Sequence, residues 1–451
     1  MIIRLPIFAV AGLTILCFAS STLAMGQVKN SISGKEGECR IAIISDVHVM
    51  DPALLMEEGK AFDDYLMHDR KMLRESTVIL KEFTDKLIAE HPQVVLLTGD
   101  LTKDGEYVSH RYLVDSCLVR LKNEGIQALV IPGNHDVNNP HAVSFMGKKT
   151  ERVRTVSAAD FADIYADYGY GDALARDKHS LTYVYQPTNS LRILAIDACK
   201  YEENNFEKNI CRHDGRIKPE TMKFIKAQIA DAHQKGIRII AMMHHGLVSH
   251  WKYQDRIMKG YLVDDWKKQV SELASAGLEV VFTGHSHAQD IACFKKGKHT
   301  IYDIETGSSV TYPSPYRLVS VKDNSMEIKS RFLESIPLDL NGLSFTEYAK
   351  ETIAQGAETM VVSVFPPNVP DSLKIAAARC VGESLIANCR GDEKLSDESR
   401  QEIHRLANLI KKYSTHCARL FRIAASVLKE DTFPTDNDFT VQFSSPTAPL
   451  P

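Results

Sequence analysis

The stretch Ala128-Leu129-Val130-Ile131-Pro132-Gly133-Asn134-His135-Asp136 joins a short apolar run to a glycine turn that carries an imidazole, a carboxamide and a carboxylate. A run of four apolar residues closed by Pro and Gly reads as a buried strand followed by a turn. A turn needs its glycine, but it needs neither the His nor the Asp. The same arrangement recurs along the chain. Asp46-Val47-His48 follows the run Arg40 to Ser45, and Gly99-Asp100 follows Val94 to Thr98. His244-His245 follows Arg238 to Met242, and Gly284-His285-Ser286-His287 follows Val280 to Thr283. A further strand is expected over Arg192 to Ile196. Helical periodicity falls between these runs, at Met72 to Glu90, Tyr107 to Asn123, Pro219 to Lys235 and Val263 to Ala276. Strands alternating with helices predict an α/β fold, and open α/β sheets place ligand sites at the carboxyl ends of their strands.

Imidazole, carboxylate and carboxamide together form a mixed nitrogen and oxygen donor set suited to borderline divalent metals. Asp46 with His48, and His285 with His287, are i, i+2 pairs that point to one side of an extended backbone, so each pair can grip one centre. Gly99 and Gly133 allow the sharp turns that face the next residue toward the site. Asp100 has two oxygens and can bridge two ions, while Asn134 offers an oxygen without charge. A lone D-x-H or G-D is a common surface loop or turn. Five such clusters in order, each after a strand, are not. Gly284-His285-Ser286-His287-Ala288 also bears a faint likeness to a serine nucleophile elbow, but an elbow must open a helix, and the pattern here continues into strands at Ile291 to Phe294, Thr300 to Ile304, Arg317 to Val321 and Met326 to Arg331.

In this order the blocks D-x-H, G-D, G-N-H-D, H and G-H-x-H resemble the calcineurin-like metallophosphoesterase superfamily over roughly Ile41 to Phe332. The stretch Asn134 to Pro140 and the insertion after it look similar to the bacterial cyclic-nucleotide phosphodiesterase-like branch. The resemblance implies a four-layer α-β-β-α sandwich. It implies that Asp46, His48 and His287 bind one metal, that Asn134, His244 and His285 bind the second, and that Asp100 bridges them. His135 is then the catalytic histidine, stabilising the transition state or protonating the leaving oxygen without binding metal. The family's lone histidine commonly stands two residues before a proline. Here His244-His245-Gly246 offers two histidines and no proline; His244 is favoured because it stands first after the apolar strand, and His245 is the alternative. The expected activity is hydrolysis of a small phosphodiester, a cyclic nucleotide or similar, by a hydroxide bridging two divalent ions, with Mn, Fe, Zn or Ni all compatible with the ligands. A phosphomonoesterase or nucleotidase on the same metals, and a non-catalytic metal scaffold, are the competing readings. Asp46, Asp100 and the hydroxide offset three of the four positive charges of the ions, leaving about one to hold a phosphoryl oxygen. Asn139, His141 and His250 are further polar residues available to touch substrate.

Residues 39–335 form the expected catalytic domain. Over 340–430 the β signal gives way to a smaller all-helical C-terminal domain, in Phe345 to Gln355, Ser372 to Ala387 and Asp397 to Lys429, interrupted by the proline-rich loop Phe365 to Pro370. It has no motif of its own and is open to a role as packing appendage, cover for the site mouth, homodimer contact or partner surface. The stretch 431–451, rich in Pro, Ser and Thr, is expected to be a loose tail. A formal net charge of −4 without a long Lys/Arg run leaves no electrostatic footprint for nucleic acid, which disfavours a nuclease.

Met1-Ile2-Ile3-Arg4, an apolar run from Leu5 to Ala19 and small residues through Ala24 read as a signal peptide over 1–24, followed by a linker over 25–38. The run is shorter than the ~20 residues that span a bilayer, and no other stretch qualifies, so no integral membrane segment is expected after cleavage. Export, periplasmic or extracellular, is the expectation. Eight cysteines then remain, with no CxxC pair; Cys199/Cys211 and Cys380/Cys389 are near enough in sequence to pair, though spacing does not decide connectivity. N-terminal sequencing of the protein from its native host should start near Met25; recovery of the full-length chain from the cytosol would refute export.

Overall fold

Consecutive apolar residues here become strands covered on both faces. In Leu191–Ile196, Ile193 and Ala195 face the interior between two sheets, while Leu194 and Ile196 face helices on the other side. Ile240 and Met242 alternate in the same way with Ile239, Ala241 and Met243 in Arg238–Met243, as do Val280 and Phe282 with Val281 in Val280–Thr283. Side chains of a strand alternate between faces, so an uninterrupted apolar run is satisfied only when both faces are packed.

The computed structural model describes residues 38–444 except 68, 430, 432 and 433, so the expected signal peptide and the end of the tail lie outside the described residues. One sheet runs in the order Asp438–Gln442, Ser325–Phe332, Pro315–Val321, Cys39–Ile44, Val94–Leu97 and Gln127–Val130. Cys39–Ile44, Val94–Leu97 and Gln127–Val130 are parallel, and the remaining strands pair antiparallel. The other runs Asp290–Lys296, His299–Glu305, Val280–Thr283, Arg238–Met243, Leu191–Ile196, Tyr183–Thr188 and Ala175–Arg176. Ser76–Glu90 and the helical stretch from Tyr107 to Asn123 cover the first sheet through Ile79, Phe83, Leu87, Leu113 and Leu121. Pro219–Gln234 and Trp266–Ala276 cover the second through Ile225, Ile229, Val270 and Leu273. The architecture is the α-β-β-α sandwich, and the parallel strands of both sheets deliver their carboxyl ends to one edge.

Several elements depart from the expected ones. The helix expected from Met72 starts at Ser76, and the Met72 N–H bonds the Val310 carbonyl at 2.8 Å. The second helix carries a π-type turn at Val114–Leu118. The final strands divide: Asp290–Lys296 and His299–Glu305 complete the second sheet, whereas Pro315–Val321 and Ser325–Phe332 cross to the first. A small sheet of Leu55–Glu57, Val143–Met146 and Lys149–Arg152 was not expected from the sequence pattern.

The C-terminal region is helical at Phe345–Val364, Asp371–Arg390, Asp397–Lys411 and Thr415–Val427. The single helix expected to Lys429 is broken where the Ser414 side chain caps the N-terminus of the last one, accepting from Cys417 N. Phe345, Ala349, Ile353 and Cys389 join the sandwich core, while Val381, Ile403, Leu406, Ile410 and Phe421 pack into a separate helical core. Within the stretch expected as a loose tail, Asp438–Gln442 adds an edge strand against Ser325–Phe332, held by five paired residues from Ser325↔Gln442 to Lys329↔Asp438. The eight described cysteines are free thiols. Cys380 and Cys389 lie on one helix, where nine residues span ~13 Å, beyond disulfide reach. Among the described residues no helix is long and apolar enough to cross a membrane.

Candidate metal centre

Each cluster leaves its strand at the common edge, but by sharp turns and not by extended backbone. Asp46, His48, Asp100, His285 and His287 all have positive φ, from 41° to 78°. The i, i+2 reading therefore needs correcting. Asp46 and His48 do converge, in a left-handed turn beyond the strand end, whereas His285 and His287 diverge to opposite halves of the site.

His48 Nε2 and His287 Nε2 lie 3.3 Å apart, with Asp46 Oδ1 3.4 Å from His287 Nε2 and 4.0 Å from His48 Nε2. On the other side His244 Nε2 is 3.2 Å from Asn134 Oδ1 and 3.3 Å from Asp100 Oδ2. His285 joins this second group. Asp100 Oδ2 is also 3.6 Å from His48 Nε2, so one carboxylate oxygen reaches both halves. His244, with Nδ1 facing the Thr98 carbonyl at 2.9 Å, turns Nε2 into the cluster, whereas His245 turns its Nε2 to the His213 carbonyl at 3.0 Å. The donors are buried; the side chains of His135 and His287, at 20% and 17% exposure, mark the mouth.

Burial holds the imidazoles of His48 and His285 well below their ordinary range, which keeps their lone pairs available. Burial also disfavours a charged His244, but the Asp100 carboxylate overrides it and pushes His244 up to about 9. Asp100 itself resists burial and is held well below the usual carboxylate range by His244 and His135. Imidazole nitrogens and carboxylate oxygens crowded this closely, with so little water, call for positive charge between them.

The surrounding residues hold this arrangement. A Cβ on Gly133 would stand 2.1 Å from Asp100 Oδ1, so no larger residue fits there. The Asp136 carboxylate accepts from the backbone N–H groups of Leu101, Thr102 and Gly133, tying the G-D loop to the G-N-H-D loop, and burial pushes it up to about 7. His135 Nδ1 lies 2.9 Å from Asp104 Oδ1 and 2.8 Å from the Lys103 carbonyl, which places the proton on Nδ1 and turns Nε2 toward Asp100 Oδ2, 3.9 Å away. Asp104 is anchored by Lys103 Nζ at 2.6 Å and by Tyr65 Oη at 2.9 Å. Short motifs do not reveal Asp104, because His135 and Tyr65 reach it from other segments. Asn139 is buried and donates to the His135 carbonyl. His141 reaches the Asn209 carbonyl. His250 is enclosed by Asp290, Asp303 and Glu305 at 2.9, 3.4 and 3.5 Å.

The calcineurin-like phosphoesterase family matches residues 39–289, more than half of the chain and all five clusters. The chain belongs to this family. The calcineurin-like phosphoesterases are metal-dependent, and this one is a metal-dependent phosphoester hydrolase. Solved structures similar to it include a dimetal phosphatase from Danio rerio, at 15% identity over 66% of this chain and 97% of that one, with a TM-score of 0.47. A conserved uncharacterized protein from Streptococcus pneumoniae, a predicted phosphoesterase, aligns at 13% identity over 69% and 97%, with a TM-score of 0.27. No curated protein matches the chain.

The donor set fits the family's two metals: its nitrogens and oxygens fall into two groups with Asp100 in reach of both. Metal analysis should therefore find about two ions per chain. Asp100→Ala should lower occupancy of both; loss from one half alone would remove the bridging role.

Proposed function

We propose that this phosphoesterase hydrolyses small phosphodiesters, cyclic nucleotides or similar, with Asp46, His48 and His287 holding one divalent ion, Asn134, His244 and His285 the other, and Asp100 between them. The observation that carries the assignment is the Asp100 oxygen lying 3.6 Å from His48 Nε2 and 3.3 Å from His244 Nε2. Bound divalent ions lower the pKa of water and neutralise phosphoryl oxygens, and the mixed ligands suit Mn, Fe, Zn or Ni.

His135 supplies the proton. Burial would lower its pKa, but the carboxylates of Asp100 and Asp104 hold it above its ordinary value, so the imidazolium is available near neutrality. Asp104 and the Lys103 carbonyl fix the ring, so that Nε2 delivers the proton to a leaving alkoxide at the mouth. His135→Ala should keep both metals and lose ~10²-fold or more in turnover; an active variant would overturn the assignment.

Charge supports the diester. Two lysines are buried beside the donors, but Asp69 matches Lys71, and Asp104 and Glu106 match Lys103. They add no surplus positive charge for a monoester dianion. With Mn²⁺ supplied, kcat/KM for an aryl phosphodiester should exceed that for the aryl monoester, with cyclic nucleotides run in parallel. A monoester preference of tenfold or more would overturn the diester reading and leave the hydrolase intact.

A further inference from the structure

We propose that Lys71 is a substrate-contacting residue of this site, its ammonium donating a hydrogen bond to a non-bridging phosphoryl oxygen, and that the helix Phe345–Val364 holds it in place. The inference rests on the phosphoesterase reading above and adds a residue outside the metal motifs.

Lys71 lies on the irregular segment Asp69 to Glu75, between the helices Lys60–Met67 and Ser76–Glu90. This segment is tied to the support of the metal ligands. The Met72 N–H bonds the Val310 carbonyl at 2.8 Å, and in the same loop Ser308 Oγ donates to the Asp46 carbonyl at 2.8 Å and Ser309 N to the Ser45 carbonyl at 3.0 Å. One short loop, Ser308 to Val310, therefore bonds both Asp46 and Met72, the neighbour of Lys71.

The Lys71 side chain is 8% exposed, and its one ion-pair partner among the described residues is Asp69 Oδ2 at 3.2 Å. Asp69 is itself oriented, its Oδ1 accepting from the N–H groups of Arg70 and Lys71 at 2.7 and 3.0 Å. Lys103 shows what a purely structural lysine looks like in the same neighbourhood. It is fully enclosed, with two carboxylates at 2.6 and 2.9 Å and the rings of Tyr65 and Phe145 against its charge. Lys71 has one carboxylate, three N–H bonds and a small opening to solvent. Burial opposes the charge of Lys71, but the carboxylates of Asp69, Asp104 and Asp100 override it and hold the ammonium above its ordinary range. An ammonium so placed, oriented but not saturated, suits a phosphoryl oxygen, to which lysine binds as a point charge. Because Asp69 already balances it, Lys71 contributes direction more than net charge, which is compatible with a monoanionic diester.

The helix acts on the segment from the far side. A Cβ on Gly356 would stand 2.5 Å from Arg70 Cγ and 3.0 Å from the Asp69 carbonyl, so the helix backbone packs straight onto the residues that hold Lys71. Eight residues earlier, on the same face of the helix, Tyr348 donates to Glu75 Oε1 at 2.8 Å. Both ends of the segment are braced by one element of the C-terminal region.

The test compares wild type, Lys71→Met, Lys71→Arg and Gly356→Val, each loaded with Mn²⁺, by metal content, diester kinetics and calorimetric binding of inorganic phosphate. Lys71→Met should retain two metals and a cooperative melt, lose ~10²-fold in kcat/KM, the scale for removing one oriented donor to a developing oxyanion, and bind phosphate at least tenfold more weakly. Lys71→Arg should recover part of both losses. Gly356→Val should reproduce the defect, and combining it with Lys71→Met should add little, since the two act as one unit. If Gly356→Val does not fold, Tyr348→Phe takes its place with a smaller effect of the same kind. Near-wild-type kcat/KM and phosphate affinity in Lys71→Met would overturn the role of Lys71, and a Gly356→Val or Tyr348→Phe variant that loses stability alone would overturn the bracing. An inactive, metal-free wild type would instead refute the underlying reading of the site.

Discussion

Everything in the site depends on one buried carboxylate. Asp100 leaves the central parallel strand of the first sheet, is 1% exposed, and presents a single oxygen to imidazoles from both sheets. Such a carboxylate is tolerable in a dry interior only if positive charge surrounds it. Its neighbours provide this in part: His244 is pushed up to about 9 by its presence. A pair of divalent ions meets the same demand more fully, which is the physical reason the donor set reads as a metal centre.

Holding the ligands there works against backbone preference. Five of the seven candidate ligands adopt left-handed backbone, at roughly 1–2 kcal/mol per residue for L-amino acids, though Asp and His tolerate it better than most. Packing and hydrogen bonds beyond the ligands offset this. Asp136 binds three backbone N–H groups across two loops, Ser308 holds the Asp46 carbonyl, and Gly133 leaves the space that Asp100 fills. Strain gathered at one edge of a sheet and supported from behind is common to functional sites.

The C-terminal helices share this structural task. Phe345, Ala349 and Ile353 enter the sandwich core, and Gly356 and Tyr348 meet the Asp69 to Glu75 segment. The later edge strand, Asp438–Gln442, extends the first sheet, and Asp436 before it accepts from Ile291 N and Asp392 N. Helices and tail thus close around the sandwich from the side of its final strands.

From the sequence alone came the α/β class, the strands that carry the clusters to within about a residue at each end, and the order D-x-H, G-D, G-N-H-D, H, G-H-x-H. These are local properties: apolar runs set the strands, and small turns place the polar residues just beyond them. Tertiary structure decided how the pieces meet. It turned His244 Nε2 toward the other donors and His245 Nε2 toward the His213 carbonyl, with His244 Nδ1 held at Thr98. It split His285 from His287, because both residues leave extended backbone. It also brought Asp104 to His135 and Met72, next to Lys71, to the loop that holds Asp46, and turned part of the tail into a strand. Those contacts join residues from separate turns, helices and sheets, and no spacing within one segment encodes a distance between two.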